Sequence, residues 1–256
     1  MSSYGKFAYV YDQLMADMPY PDWLAFAEAA WKKLGKPVTV AELGCGTGSI
    51  TIPLASAGYH MNGIDLSSDM LAVAQRKMEE HPLARRFLRE GSVRWIRQNM
   101  KDWELPEPVD SVISFCDCLN YLLEESEIQA VFARTFAGLK TGGTFLFDVH
   151  HPNTLIRYEE EQPFILDEDE VSYIWTCELD VPRREIEHHL SIFAREDGRS
   201  DLYRRFEETH IQRAYDPEWL TAELRNTGFS QVNVYADFEW VEAGDDAQRL
   251  FYVAVK

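Results

Sequence analysis

Residues 42–48 read Glu42-Leu43-Gly44-Cys45-Gly46-Thr47-Gly48, and an aspartate, Asp65, follows where the next strand should end. Glycines at alternate positions let a strand turn sharply into a helix. They also let a ligand lie against peptide N–H groups that no side chain shields. An acid roughly 20 residues further on is the usual partner of a ribose hydroxyl pair. The pattern therefore predicts an α/β sheet carrying a cofactor with a nucleoside. A glycine turn serving only helix–strand packing is the plainer alternative, and Asp65 with its flanking apolar strands counts against it. The dinucleotide fingerprint places its third glycine one step later than here, which counts against a nicotinamide cofactor.

A chain of 256 residues allows one domain, or one domain with a sizeable insertion. The formal net charge of −18 repels phosphate backbones, so nucleic acid is a poor substrate candidate. The densest basic cluster, Arg85, Arg86, Arg89, Arg94 and Arg97, reads as a solvated face near the third strand. The cysteines, Cys45, Cys116, Cys118 and Cys177, form no paired framework. Cys116-Asp117-Cys118 lacks the spacing and the second pair of a structural zinc site, so no metal is expected. No signal-peptide pattern occurs, and no apolar run approaches the roughly 18 residues of a membrane span. These features imply a reduced, cytoplasmic protein with no membrane segment.

Apolar spacing predicts helices around Phe7, Tyr11 and Leu14, and again from Trp23 to Trp31, the latter stopped by Gly35 and Pro37. Strands are expected at 38–43, 59–64, 93–99, 109–115 and 144–149. Helices are expected at 49–56, after Ser67 or Ser68, and at 127–139. The near-continuous apolar run at 109–115 suits a strand buried on both faces, and the alternation argues for a parallel sheet with helices on both sides. The rhythm changes after His151. Glu159 to Glu161 and Asp167 to Glu170 read as acidic loops. Alternating runs then follow, with Asp197-Gly198 as a hairpin turn, and predict an antiparallel meander over 165–213. The core resumes with a helix at 217–226 and strands at 231–238 and 250–255. The domain division is thus 1–151 plus 214–256 for the core, with 152–213 inserted as a substrate lid or dimer face.

Over nearly its whole length the chain resembles the class I S-adenosylmethionine (SAM)-dependent methyltransferases. The resemblance rests on Tyr4-x-x-Phe7-Ala8-x-Val10-Tyr11-Asp12, the Glu42–Gly48 loop, Gly63-Ile64-Asp65-Leu66-Ser67, Asp117-x-Leu119-Asn120-Tyr121-Leu122 and Leu139-Lys140-x-Gly142-Gly143. Phe147-Asp148-Val149-His150 and Glu207-Glu208-Thr209-His210-x-Gln212-Arg213 are similar to the YqeM-type bacterial methyltransferases of unassigned substrate. The resemblance implies a Rossmann-like fold whose seven-stranded sheet has an antiparallel last strand. It also implies SAM across the carboxyl ends of the first four strands, leaving as S-adenosylhomocysteine. By position, the Gly44, Gly46 and Gly48 backbone faces the methionine and sugar, Asp65 takes the ribose hydroxyls, and Leu66 and Met70 flank adenine. Tyr4 and Tyr11 close over the methionine end, and Glu42, Cys45, Met100 and Cys116 complete the surroundings. Relatives often carry aspartate where Asn99 stands. Its amide oxygen can still accept from an adenine amino group, without charge.

Methyl transfer to a nucleophile is an in-line displacement whose leaving group departs neutral, so a base is needed only if the acceptor must lose a proton. His150, Asp117 and Tyr121 are the catalytic candidates. Asn120, Tyr121, His150 and His210 are the substrate-binding ones, with Glu208 able to reach the pocket beside His210. Capping and packing are an equal reading for Asn120 and Tyr121. His151, before Pro152, is expected to shape its loop. His188 and His189 face opposite sides of one strand, which disfavours a shared metal. The meander aromatics Tyr173, Trp175, Phe193 and Phe206 fit a small core, a pocket roof or a homodimer face. The acceptor is expected to be a small molecule. The rivals are a non-catalytic SAM sensor or scaffold and, further off, a nicotinamide-dependent oxidoreductase.

Overall fold

The periodicities resolve into elements that lie close to their predicted positions. The computed structural model of the chain describes residues 10–90, 92–196, 202–244 and 246–256, so Tyr4, Phe7 and the Asp197-Gly198 turn lie outside the described residues. Residues 10–14 are helical. Helix α1 (Tyr20–Leu34) has Pro21 in its first turn, buries Trp23, Phe26, Ala27, Ala30 and Trp31, and ends at Gly35 with φ 123°. Then follow β1 (Thr39–Leu43), α2 (Thr51–Ser56), β2 (His60–Asp65), α3 (Ser68–Glu80), α4 (Ala84–Glu90), β3 (Val93–Arg97) and β4 (Val109–Ser114). A 3₁₀ turn (Cys118–Tyr121) leads to α5 (Glu125–Gly138), β5 (Leu139–His150) and α6 (Pro152–Glu161). The meander is β6 (Phe164–Asp167), β7 (Val171–Asp180), β8 (Glu185–Arg195) and β9 (Tyr203–Arg213). The chain closes with α7 (Pro217–Thr227), β10 (Gln231–Ala236) and β11 (Arg249–Val255).

The main sheet has seven strands in the order β10-β11-β5-β4-β1-β2-β3. Only β11 runs against its neighbours, pairing antiparallel with both β10 and β5. Strand order reverses between β1 and β4, and open α/β sheets bind ligands at the carboxyl ends beside such a switch. Helices cover both faces, which is why β1 and β4 are buried almost continuously rather than alternately. One cluster, around Phe132, Phe145, Phe147 and Tyr252, lies under α5 and α7. The other, around Trp23, Phe26, Trp31 and Phe251, lies under α1.

Three predicted assignments need correction. Strand β5 begins at Leu139 rather than residue 144, because Leu139 already pairs with Val109 before a register shift brings Thr144 opposite Ser111. Residues 84–90, read only as a charged face, form α4, whose buried Phe87 anchors an otherwise solvated turn. Glu159 to Glu161 are not a loop but the exposed last turn of α6. That helix starts at Pro152 and is capped by the His151 ring, whose Nδ1 accepts from Asn153 N at 3.1 Å. The acidic run hides the helical spacing of Leu155 and Tyr158, which pack with Cys177 and Ile186.

The meander folds as a four-stranded antiparallel sheet, β6-β7-β8-β9. Its inner face packs on α3 and on the 10–14 helix: Val171, Ile192, Tyr173 and Phe206 meet Met70, Val73, Tyr11 and Leu14. Trp175 instead packs against Tyr158 and Phe164, and Phe193 lies under the Arg205 guanidinium at 5.9 Å. No helix among the described residues is long and apolar enough to cross a membrane.

Candidate active site

The glycine loop is built by hydrogen bonds that a carboxylate organises. Gly44, Gly46 and Gly48 have φ of 75°, 51° and 79°, a region that side-chain-bearing residues rarely adopt. A Cβ on Gly44 would sit 2.6 Å from Cys118 Sγ and one on Gly48 2.7 Å from Trp95, so these two are required by packing as well as by the turn. A Cβ on Gly46 would meet nothing within 4 Å. Asp65 spans the loop and the next helix, its Oδ2 accepting from Gly46 N and its Oδ1 from Ser67 N, each at 2.8 Å. Burial pushes the Asp65 carboxyl above its usual value, and these backbone donors oppose that shift. Ser67 in turn caps α3, its Oγ accepting from Met70 N.

Beside the loop opens a cavity of about 630 Å³. Gly44, Gly46, Asp65, Leu66 and Met70 form one wall, and Asn99, Met100 and Lys101 from the loop after β3 form another. Tyr11, Tyr121 and His210 close the far side. Tyr121 and His210 are in edge-to-face contact, their centroids 6.0 Å apart. The Asn99 amide oxygen already accepts from Lys101 N at 3.0 Å and keeps its second lone pair.

Glu42, Cys45, Gly48 and Cys116 do not line this cavity. Glu42 is buried beneath the loop, taking a hydrogen bond from Thr51 Oγ1 and pushed up to about 8, mainly by burial. Burial likewise holds the Cys45, Cys116 and Cys118 thiols well above their usual value, which favours the protonated thiol. Asp12, in the N-terminal motif, reaches the glycine loop. Its carboxylate accepts from Thr47 Oγ1 at 2.6 Å and pairs with Lys77 at 2.8 Å, which ties the N-terminal helix onto the glycine loop.

At the ends of β4 and β5 lies a second arrangement. Arg249, entering from β11 opposite His150, donates to Asp117 Oδ1 at 2.9 Å and to Asp148 Oδ2. Asp148 is fully buried and also accepts from Trp23 Nε1, Cys116 N and Asp117 N. Burial raises its pKa, and the Arg249 charge with the three other donors opposes that shift. Burial would raise Asp117 too, yet the His150 ring and Arg249 outweigh it and hold Asp117 well below the carboxylate range. His150 Nε2 is 3.6 Å from Asp117 Oδ2.

The same Asp117 oxygen accepts from Gln212 Nε2 at 2.7 Å, and Gln212 Oε1 lies 3.3 Å from His188 Nε2. Trp175 Nε1, which can only donate, points at His188 Nδ1 at 3.0 Å. His188 must therefore be neutral with its proton on Nε2, and burial lowers it to about 4. Asn120 has both ends occupied: Nδ2 donates to Arg213 O at 2.8 Å and Oδ1 accepts from His150 N at 3.1 Å. It is fully buried and pins β5 to the end of the meander, which is the packing reading. Asp117, Asn120 and His150 thus come together behind the cavity, while Tyr121 and His210 face it. Nothing in the local sequence marked Arg249 and Gln212 as partners of Asp117, or Trp23 as a partner of Asp148, because each arrives from a distant segment.

The profile of a methyltransferase-domain family matches residues 40–143, the span holding the glycine loop, Asp65 and the turn after β4. A protein of Geobacillus sp. (strain WCH70) that carries a methyltransferase name is 36% identical over 258 aligned residues, covering 99% of this chain and 100% of the relative. The chain belongs to the class I SAM-dependent methyltransferases. YqeM of Bacillus subtilis (strain 168), a methyltransferase by name, is 34% identical, with 99% of this chain and 97% of that protein aligned. A SAM-dependent methyltransferase from Clostridium acetobutylicum ATCC 824 superposes with a TM-score of 0.82 at 26% identity, each chain covered to 99%. The residues present fit SAM: Gly46 and Asp65 both line the cavity, and a Cβ placed on Gly46 would meet nothing within 4 Å, which leaves its backbone open to a ligand.

Proposed function

We propose that this methyltransferase carries the methyl group of SAM to a small molecule held between the tip of β4 and the meander. The observation that carries the reading is the 630 Å³ cavity, which joins the Gly44–Gly46 backbone and Asp65 at one end to Tyr121 and His210 at the other. SAM would lie with its ribose hydroxyls on Asp65, whose oxygens each keep a lone pair beyond the backbone bonds they accept. Leu66, Met70, Asn99 and Met100 would surround adenine, and Tyr11 would stand at the methionine end. Bound SAM supplies an electrophilic methyl on a sulfonium, and the chain's part is to align the nucleophile with it and exclude water. Such orientation is worth up to about 7–11 kcal/mol. The aromatic rings of Tyr11 and Tyr121 suit a cationic sulfur. The meander, covering α3 and the N-terminal helix, would act as the lid of this chamber.

The net charge of −18 favours a small acceptor over a nucleic acid. The test is to incubate the protein with methyl-labelled SAM and a cell extract separated into dialysable, protein and nucleic-acid fractions. Label should enter the dialysable fraction and fall at least tenfold with Tyr121→Ala. Label confined to protein or nucleic acid would overturn the reading.

A further inference from the structure

Two successive residues after β4 hold a backbone conformation that neither side chain favours. Cys116 and Asp117 have φ of 59° and 52°, and neither is a glycine. Aspartate visits this left-handed region on occasion, but cysteine has no such tolerance, and two in a row need an outside hold. Glycine would take the same turn without that cost, as it does in the loop after β1. The hold comes from Asp148. The last paired residues of β4 and β5 are Ser114 and Phe147, so Asp148 stands one position beyond the end of β4. Its Oδ1 accepts from Cys116 N at 2.8 Å and its Oδ2 from Asp117 N at 3.1 Å. Two consecutive peptide N–H groups thus converge on one carboxylate, an anion nest turned to structural use. The carboxylate is itself fixed from behind, by Trp23 Nε1 of α1 at 2.9 Å on Oδ1 and by Arg249 of β11 on Oδ2. It is fully buried and does not line the cavity.

What this hold aims is the 3₁₀ turn that follows. Cys118, Tyr121 and Leu122 all line the cavity, and Cys118 Sγ lies 3.5 Å from Gly44 O, against the glycine loop. The end of the turn is pinned by the Asn120 amide, which bonds Arg213 O and His150 N. Its start is set by the left-handed pair, whose peptide N–H groups Asp148 holds. A backbone outlier of this kind persists only where its surroundings over-determine it, and the four bonds on Asp148 do so here.

We propose that Asp148 is a positioning residue for methyl transfer: by holding Cys116 and Asp117 in the left-handed region, it places Tyr121 in the wall of the cavity. The inference rests on the methyltransferase reading of that cavity. It adds the residue that fixes the wall at the tip of β4 without itself touching a ligand. A small misplacement of such a wall costs rate rather than cofactor binding, because alignment of the reacting groups is what the wall supplies.

The test uses the full chain and reads two things. Label from methyl-labelled SAM, at saturating concentration, is followed into whichever fraction of a cell extract the wild type labels. The surroundings of Tyr121 are read by fluorine NMR of protein carrying 3-fluorotyrosine, with the Tyr121 line assigned by Tyr121→Phe. Asp148→Asn should lower transfer at least tenfold, leave SAM affinity within threefold by calorimetry, and shift or broaden the Tyr121 line. Adding Cys116→Gly to Asp148→Asn should recover transfer at least threefold and return the line toward its wild-type position, because glycine takes the left-handed turn unaided. Adding Cys116→Ala, which removes the thiol but keeps the backbone cost, should recover neither. A carboxylate that served only to neutralise Arg249 would give no glycine rescue. Should Asp148→Asn fail to fold, Cys116→Val loads the same turn with the carboxylate intact. It should lower transfer at least tenfold with SAM affinity kept, since a β-branched residue resists this φ most. An unmoved Tyr121 line, transfer that survives Asp148→Asn or Cys116→Val, no rescue by glycine, or equal rescue by alanine would overturn the assignment. A wild type that binds SAM and labels no fraction, with the fluorine lines behaving as expected, would sink the methyltransferase reading and not the placement of Tyr121 by Asp148.

Discussion

The glycine-loop wall of the cavity and the charged cluster behind it are built on opposite principles. At the glycine loop, one short stretch of chain supplies the wall: peptide groups that no side chain covers and one carboxylate, Asp65, with both oxygens on neighbouring peptides. At the ends of β4 and β5, side chains from distant segments converge on two acids that share a single arginine. The first arrangement tolerates an open, solvated cleft because its polar groups are local and mutually satisfied. The second works only when the whole fold is closed, since each ion is buried and depends on partners from β9, β11 and α1. A wall of this kind can be built locally, while a buried charged cluster is assembled only by the tertiary fold.

If that contrast is right, the largest effect on stability should come from the convergent end. Arg249→Met leaves Asp117 and Asp148 buried with no cation, and truncating one partner of such a group typically costs about 3–5 kcal/mol. Urea unfolding should show that loss, with Arg249→Lys recovering part of it. A change below about 1 kcal/mol would mean the network is far wetter than its burial implies.

The next effect is on pH dependence. The folded-state pKa of His188, near 4, lies below the unfolded value of about 6.5. Its contribution is therefore fully present above pH 6.5 and is lost as the pH falls toward 4. Linkage predicts that wild type loses about 2 kcal/mol more than His188→Gln between pH 7 and pH 5. Parallel stability curves for the two proteins would show that His188 accepts a proton freely. At the local end a smaller change is expected: Ser67→Ala removes one cap bond and should lower stability by about 0.5–1 kcal/mol.

The same contrast explains what could be read from the sequence. The glycine loop, Asp65 and the Ser67 cap were legible because their geometry is written within about one strand–turn–helix unit. The parallel core was legible from its buried runs, and the meander from alternation at Val171, Tyr173 and Trp175. Helix α6 was hidden because three glutamates outweighed the spacing of Leu155 and Tyr158. Arg249 could not be foreseen, since its place opposite His150 depends on the antiparallel register of the last strand. From its motif Asn120 suited packing and substrate binding equally, and the fold places Arg213 O and His150 N on its two ends.

The most direct measurement is calorimetric titration of SAM into the wild type, Asp65→Ala and Asn120→Ala, with unfolding followed on the same samples. Hydrogen bonds to a charged group are worth about 1.5–3 kcal/mol, so Asp65→Ala should weaken SAM binding roughly ten- to hundredfold. Asn120→Ala should leave affinity within threefold and lower stability by about 1–3 kcal/mol instead. SAM affinity that survives in Asp65→Ala and collapses in Asn120→Ala would contradict the division between a local cofactor wall and a convergent structural cluster behind it.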